Sequence, residues 1–383
     1  LPAATQLQLH LLRASAQADL GDMRAALRSI DEARIIDNRS ADVWLAEVPV
    51  RIRAGQFAEA TAAVDKALAL APNLAEAWYQ KGSVQHVQGK LEAALAAYDR
   101  VLQIDAKHIE ARVARIGLYL DLGRFADAAK DVTELQRQSP QEPRGAYMKA
   151  LLAERDGNAA AASAALKEVT ELLDPVPVDF IRYRPQLLML NGLAHFSLNQ
   201  GEKAKQYLEA FQKVQGNSPV AKLLARIYMS DGNPANAATL LETYLRDHPG
   251  DGQALTQLAS ANMALGRNAK ATALMQQALK TQDNPAFRTV LGLSLVGSGQ
   301  AASGITELEA AYKKDPGQMQ AGTALVQLYL RSGQSKKAVP VAESLVKRQP
   351  ANAAYHNLLG MASGQSGNVA GSRAAFEKAV SLD

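Results

Sequence analysis

The chain has 383 residues, with 42 Lys and Arg against 38 Asp and Glu and a formal net charge of +4. The two signs are interleaved, so nucleic acid is not an expected partner, and no apolar run approaches the roughly 20 residues that span a bilayer. Cysteine is absent, which excludes disulfides, thiolate metal sites and a cysteine nucleophile; with aromatics at only 5%, Ala and Leu must carry the buried surface of closely packed helices.

Glycine recurs at a nearly fixed interval. Gly21, Gly55, Gly89, Gly123 and Gly157 are each 34 residues apart, followed by Gly201, Gly232, Gly266, Gly299, Gly333 and Gly367. A period of this size marks a stack of helical hairpins in which each unit touches only its neighbours. The first five repeats fall at residues 7–40, 41–74, 75–108, 109–142 and 143–176. The third shows the pattern most plainly. Trp78 and Gly82 are spaced for one face of a first helix, Ala94, Tyr98 and Val101 for one face of a second, and Gly89 ends the first helix in a left-handed turn.

Other repeats carry the same signals. The eighth position is small at Gly82, Ala150, Ala225, Ala259, Gly292 and Gly360, and the twentieth at Ala60, Ala94, Ala128, Ala162, Ala237, Ala271 and Ala338, as close approach of the two helices requires. Pro72, Pro140, Pro249, Pro316 and Pro350 follow the second helix. Glu59, Glu92 and Asp127 sit where the second helix begins, near its positive end. Trp44 and Trp78 share one position and are expected to be core wedges.

One interval breaks the ladder: 44 residues separate Gly157 from Gly201. Three prolines, Pro175, Pro177 and Pro185, predict that residues 175–186 are irregular. Phe180, Arg182, Tyr183 and Arg184 there are candidate docking residues, being of the types that anchor interfaces. The chain is therefore divided into an N-terminal arm at 1–174, the insertion at 175–186, and a C-terminal arm at 187–383. Repeats in the second arm are expected at about 187–217, then 218–251, 252–284, 285–318, 319–352 and 353–383. The chain opens at Leu1 and stops inside its last repeat, so it reads as a segment of a longer protein.

These positions resemble the tetratricopeptide repeat over nearly the whole chain. The resemblance implies an all-α superhelical solenoid of about eleven helix-turn-helix repeats, with a concave groove lined by first-helix positions two, five, nine, twelve and thirteen. Those positions hold Tyr79, Ser83 and His86; Glu110, Val113 and Asp121; Arg144, Tyr147, Leu151 and Arg155; Asn191, His195 and Asn199; Lys222 and Arg226; and Gln320, Thr323, Gln327 and Arg331. The family's clamp for chaperone C-termini uses Lys at position five and Asn at position nine. Here Leu45, Tyr79, Val113 and Tyr147 are followed by Pro49, Ser83, Gly117 and Leu151, so the clamp is absent.

No catalytic motif is found. The six histidines lack paired-ligand spacing, and the Gly-Ser stretches at 297–299 and 364–367 coincide with repeat turns. No enzyme activity, metal or cofactor is expected. The run Tyr183-Arg184-Pro185-Gln186-Leu187-Leu188, followed by Leu193-Ala194-His195-Phe196, resembles the repeat lipoproteins of the PEP-CTERM and exosortase systems. That resemblance implies a periplasm-facing scaffold for proteins or peptides of the envelope, assisting exopolysaccharide assembly or export and held to a membrane only by an anchor outside this segment. Polysaccharide is a further candidate partner. The alternative is the recruiting arm of a larger enzyme, such as a glycosyltransferase or peptidase.

Overall fold

A computed structural model describes residues 2–382. The amphipathic period resolves into helices α1 Ala3–Asp19, α2 Met23–Ile36, α3 Ala41–Arg53, α4 Phe57–Leu70, α5 Ala75–Val87, α6 Leu91–Ile104, α7 Ile109–Asp121, α8 Phe125–Gln138, α9 Pro143–Arg155 and α10 Ala159–Leu173. A one-turn α11, Val178–Ile181, comes next, and then α12 Pro185–Ser197, α13 Gly201–Gln215, α14 Val220–Ser230, α15 Pro234–Asp247, α16 Gly252–Ala264 and α17 Asn268–Thr281. The chain closes with α18 Pro285–Gly297, α19 Ala301–Lys314, α20 Met319–Arg331, α21 Ser335–Arg348, α22 Ala353–Gln365 and α23 Val369–Leu382. Apart from α11 these are eleven hairpins, and no strand occurs among the described residues. Nor is any helix there long and apolar enough to cross a membrane.

Two compact units result. Unit 1 runs through Pro177 and takes in Leu193–Gln200; unit 2 comprises Val178–Gly192 and the chain from Gly201 onward. Helix α12 thus begins in unit 2 and ends in unit 1.

Each hairpin closes on a complementary pair at positions eight and twenty-four. A Cβ on Gly82 would lie 2.5 Å from the Tyr98 ring, and one on Gly192, Gly292 or Gly360 would meet Leu208, Leu308 or Phe376 at 2.5 to 2.6 Å. Where the eighth residue is larger the twenty-fourth shrinks: Val48 with Val64, Ile116 with Val132, and Val326 with Ala342, all buried. Small residues at position eight therefore answer a large residue at twenty-four, not only the alanine at twenty. Close packing permits the exchange because it conserves local volume.

The two tryptophans are half-buried staples more than wedges. Trp44 donates its indole N–H to the Asn38 carbonyl at 3.1 Å, and Trp78 donates to Pro72 at 2.8 Å. The same position is served by Arg112, donating to Ala106 at 2.7 Å, and by His356, whose Nε2 bonds the Pro350 carbonyl at 2.9 Å. In each case the side chain satisfies the turn carbonyl six residues back, fixing one hairpin on the next.

The break in the ladder is shorter than the glycines indicate. Ten of the ladder glycines have φ between 69° and 91°, but Gly201 does not; the left-handed residue of that turn is Asn199, at φ 57°. Asparagine is the side chain that most readily replaces glycine there. Gly201 instead opens α13. The sixth repeat consequently starts at Pro185, not at 187, and the surplus contracts to residues 177–184. This segment is not irregular throughout, as its prolines suggest, because Pro177 precedes α11 and Pro185 occupies the first position of α12, where a missing N–H costs nothing.

Candidate functional site

In unit 2 the first helices of four consecutive repeats, α14, α16, α18 and α20, together form a cavity of about 560 Å³. Helix α14 contributes Arg226, Met229 and Ser230, and α16 contributes Thr256, Gln257 and Ser260. Ala286, Thr289 and Val290 come from α18, with Gln318 and Gln320 from the start of α20. Arg226, Met229, Thr256, Ser260, Ala286, Thr289 and Gln320 fall at positions two, five, nine and twelve, where side chains point away from the partner helix of each hairpin, while Gln257 and Val290 each stand one place after position five. Arg226 and Gln320 are thus placed as the repeat register expects.

Hydrogen bonding defines what this surface can hold. The Thr256 hydroxyl donates to the carbonyl of Gln253 at 2.9 Å, Ser260 to Thr256 at 2.9 Å, and Thr289 to Pro285 at 2.9 Å. Each hydroxyl spends its proton on its own helix and turns only acceptor capacity to the cavity. The Gln257 amide oxygen is buried beside the cavity without a hydrogen-bond partner, a costly state. The lining includes no carboxylate and one cation, Arg226. Such a surface suits peptide backbone and neutral side chains. It lacks a nucleophile paired with a base.

Lys222 has another engagement. Its ammonium lies 2.8 Å from Asp251 and 5.9 Å from the Tyr244 ring centroid. Burial alone would raise the Asp251 pKa, but bonds from Lys222, the Ala254 N–H and Tyr244 outweigh it and pull it down to about 2.

In unit 1 the groove residues satisfy one another. Arg144 binds both carboxylate oxygens of Glu110, one repeat earlier, at 2.7 Å each, and also Glu142; the two acids hold the guanidinium above its usual range. His86 is 3.9 Å from Asp121. Tyr79 stacks obliquely on Tyr98 and His108, with centroids 5.9 and 5.3 Å away, and burial followed by the Glu110 charge pushes its pKa up to about 12. Ser83 donates to the Tyr79 carbonyl at 3.1 Å. Burial, then Glu154, raises the Tyr147 hydroxyl as well. Arg155 is exposed, with its guanidinium 4.0 Å above the Phe125 ring.

Asn191 and His195 do not line a groove. They are 0% and 1% exposed, and the His195 ring bonds Asp174 at 2.8 Å and Gln200 at 2.5 Å. The cause is the register error at Gly201: two residues rotate a helix by about 200°, which exchanges its buried and exposed faces. The groove positions of this repeat are Gln186, Met189, Leu193 and Phe196, and Asn199 belongs to the turn. Asn199, two residues before Gly201, was the only signal in the sequence, and both residues suit such a turn.

The insertion residues are displayed. Phe180 and Tyr183 are 71% and 75% exposed, and Arg184 is exposed. Arg182 lies 5.1 Å from the Tyr183 ring centroid and donates to its hydroxyl at 3.1 Å.

Eleven stacked hairpins, with their grooves built from first-helix side chains, define an α-solenoid of the helical-repeat class. The chain belongs to the tetratricopeptide repeat family: one model of that repeat matches residues 87–154, 228–293 and 295–362, a second matches 45–109 and a third 353–383. No curated protein sequence matches the chain significantly. Among solved structures, the human IFIT1 dimer with m7Gppp-AAAA is similar at a TM-score of 0.54 and 16% identity, covering 98% of this chain and 90% of that one. A monomeric IFIT1 mutant with Gppp-AAAA scores 0.55 at 16% identity, with the same coverage. At that identity the likeness is one of fold.

Proposed function

We propose that the chain is a non-enzymatic scaffold whose unit 2 groove holds an extended segment of a partner protein. The cavity across α14, α16, α18 and α20 carries this reading, since a preformed surface spanning four repeats lets modest contacts sum without an ordering cost. The m7Gppp-AAAA and Gppp-AAAA of the IFIT1 structures are not carried over, because the lining here offers a single cation. The finer assignment, to a cell-envelope assembly supporting exopolysaccharide export, draws its support from the cysteine-free composition and from the run around Tyr183-Arg184-Pro185.

A photo-crosslinking residue in place of Gln257 or Thr289 tests both levels in intact cells of a native host. The expected result is a discrete adduct with an envelope protein, missing when the same probe replaces the exposed Gln276 on α17. Identical adducts at all three positions, or none at the groove, would refute the groove reading. A discrete adduct with a protein from outside the envelope would overturn the assignment to that compartment alone.

A further inference from the structure

The extra helix builds a second pocket. Helix α11 lies beside α13, and together they enclose about 760 Å³ within unit 2. On α13 the lining residues Glu202, Gln206, Glu209 and Lys213 form a stripe distinct from the buried one of Ala204, Tyr207, Leu208 and Phe211. The pocket therefore occupies the face of a second helix turned away from its hairpin partner. No other hairpin among the described residues has an additional helix to wall that face.

Its floor is apolar, with Val178, Ala210 and Val214, the last 47% exposed. Its charges are unequally committed. Glu202 binds Lys205 at 2.9 Å, Glu209 accepts from the Tyr228 hydroxyl at 2.8 Å, and Asp179 is 3.9 Å from Arg182. Among the described residues, neither Lys213 in the lining nor the neighbouring Arg184 forms an ion pair, and both are exposed. Arg182 joins this rim to Tyr183, and Phe180 stands exposed on α11 itself.

We propose that the α11–α13 pocket is a second docking site, separate from the groove, for an acidic protein segment that carries an apolar or aromatic anchor. The anchor fills the floor of Val178, Ala210 and Val214, and its flanking carboxylates pair with Lys213 in the lining and with Arg184, two residues beyond the lining residue Arg182. A uniform polyanion would leave the apolar floor of Val178, Ala210 and Val214 unused. The site makes the chain bivalent, able to hold one partner in the groove and another on the outer face, and it does not depend on the groove being occupied.

Fluorescence anisotropy with the full chain tests it, using a labelled peptide that alternates glutamate with leucine and phenylalanine. Binding should saturate, and the paired changes Arg184→Glu and Lys213→Glu should weaken it about tenfold at low salt, less at high salt. Val214→Ser should weaken it at both salt concentrations, whereas Arg226→Ala and Gln257→Ala should leave it unchanged. Thermal melting checks each variant; should a glutamate variant melt lower, Lys213→Gln alone supplies the comparison. Absence of saturable binding, indifference to the charge reversal, or loss on changing Arg226 and Gln257 would each overturn the proposal. Displacement of the peptide by an oligouronate or oligonucleotide that binds more tightly through the same residues would overturn the protein assignment.

Discussion

The two units repeat one hairpin but dispose of their polar groups in opposite ways. Unit 1 buries charge: Asp131 accepts two bonds from Arg115 at 2.7 Å and one from Arg112 at 3.1 Å, while Glu47 bonds Arg51 at 2.8 Å and also Arg34. Its groove arginine and acid are likewise paired across repeats, Arg144 with Glu110. Unit 2 buries neutral groups instead, among them Asn262, Thr289, Ser294, Ser335 and Ser363, and its groove displays amides and hydroxyls around a cavity. Charges paired within the array are spent on holding repeats together. Neutral groups in the groove, and Lys213 and Arg184 near α11, remain available to a partner, and both candidate sites lie in unit 2.

The largest expected effect comes from breaking a unit 1 network. Asp131→Ala leaves the buried Arg112 without a carboxylate, although Arg115 keeps Asp99, and should cost about 3 kcal/mol in urea unfolding. Ser294→Ala in unit 2 removes only a hydroxyl that bonds the Leu291 carbonyl and Thr272, and should cost about 1 kcal/mol. Equal losses would erase the contrast between the units.

Volume exchange inside the hairpin should come next. Gly82→Val drives a side chain into the Tyr98 ring and should cost about 1–3 kcal/mol, with much of the loss recovered when Tyr98→Val is added. The double variant copies the Val48 and Val64 pair already present in unit 1. Thermal melting without such recovery would show that positions eight and twenty-four are independent.

A partly buried ion pair of unit 2, Lys222 with Asp251, should be visible in its pH dependence. The Asp251 pKa is lowered from 3.8 to about 2 in the folded chain, so its stabilisation is fully present above the unfolded value and is lost as pH falls through the folded one. Acid titration of unfolding should therefore show a loss of about 2 kcal/mol between roughly pH 4 and pH 2 that Asp251→Asn abolishes. An unchanged acid limb would mean that Lys222 is available to the groove after all.

The smallest effects sharpen the register. Gly201→Ala should be neutral or stabilising by up to about 1 kcal/mol, because the residue lies in a helix and no atom is within 4 Å of the added Cβ. Asn199→Gly should stabilise by about 0.5–1 kcal/mol by easing the left-handed turn. A melting point lowered by Gly201→Ala would restore Gly201 as the turn residue.

Wherever glycine alone could make the turn, as at Gly89 or Gly266, fold and register were legible residue by residue, since a left-handed backbone excludes most side chains. Legibility failed at Leu198-Asn199-Gln200-Gly201, where two residues suit that conformation. The two-residue choice propagated into a buried Asn191 and His195 being read as surface. The groove residues Arg226 and Gln320 were accessible to the register because no ambiguity precedes them in their own repeats. Gln257 was missed. It stands one place after a groove position, and only the packing of four first helices reveals that its amide oxygen is left without a partner.

What the amino-acid sequence determined by itself is the number of hairpins, their small-against-large cores and their turns, because each depends on contacts within one repeat or with the next. Only the tertiary structure decided which charges are neutralised, where a cavity opens, and that residues 178–181 form a helix walling the outer face of α13. The cavity depends on side chains that meet across four repeats, and the charge pairs and α11 depend on individual side chains and an insertion that the repeat pattern does not specify.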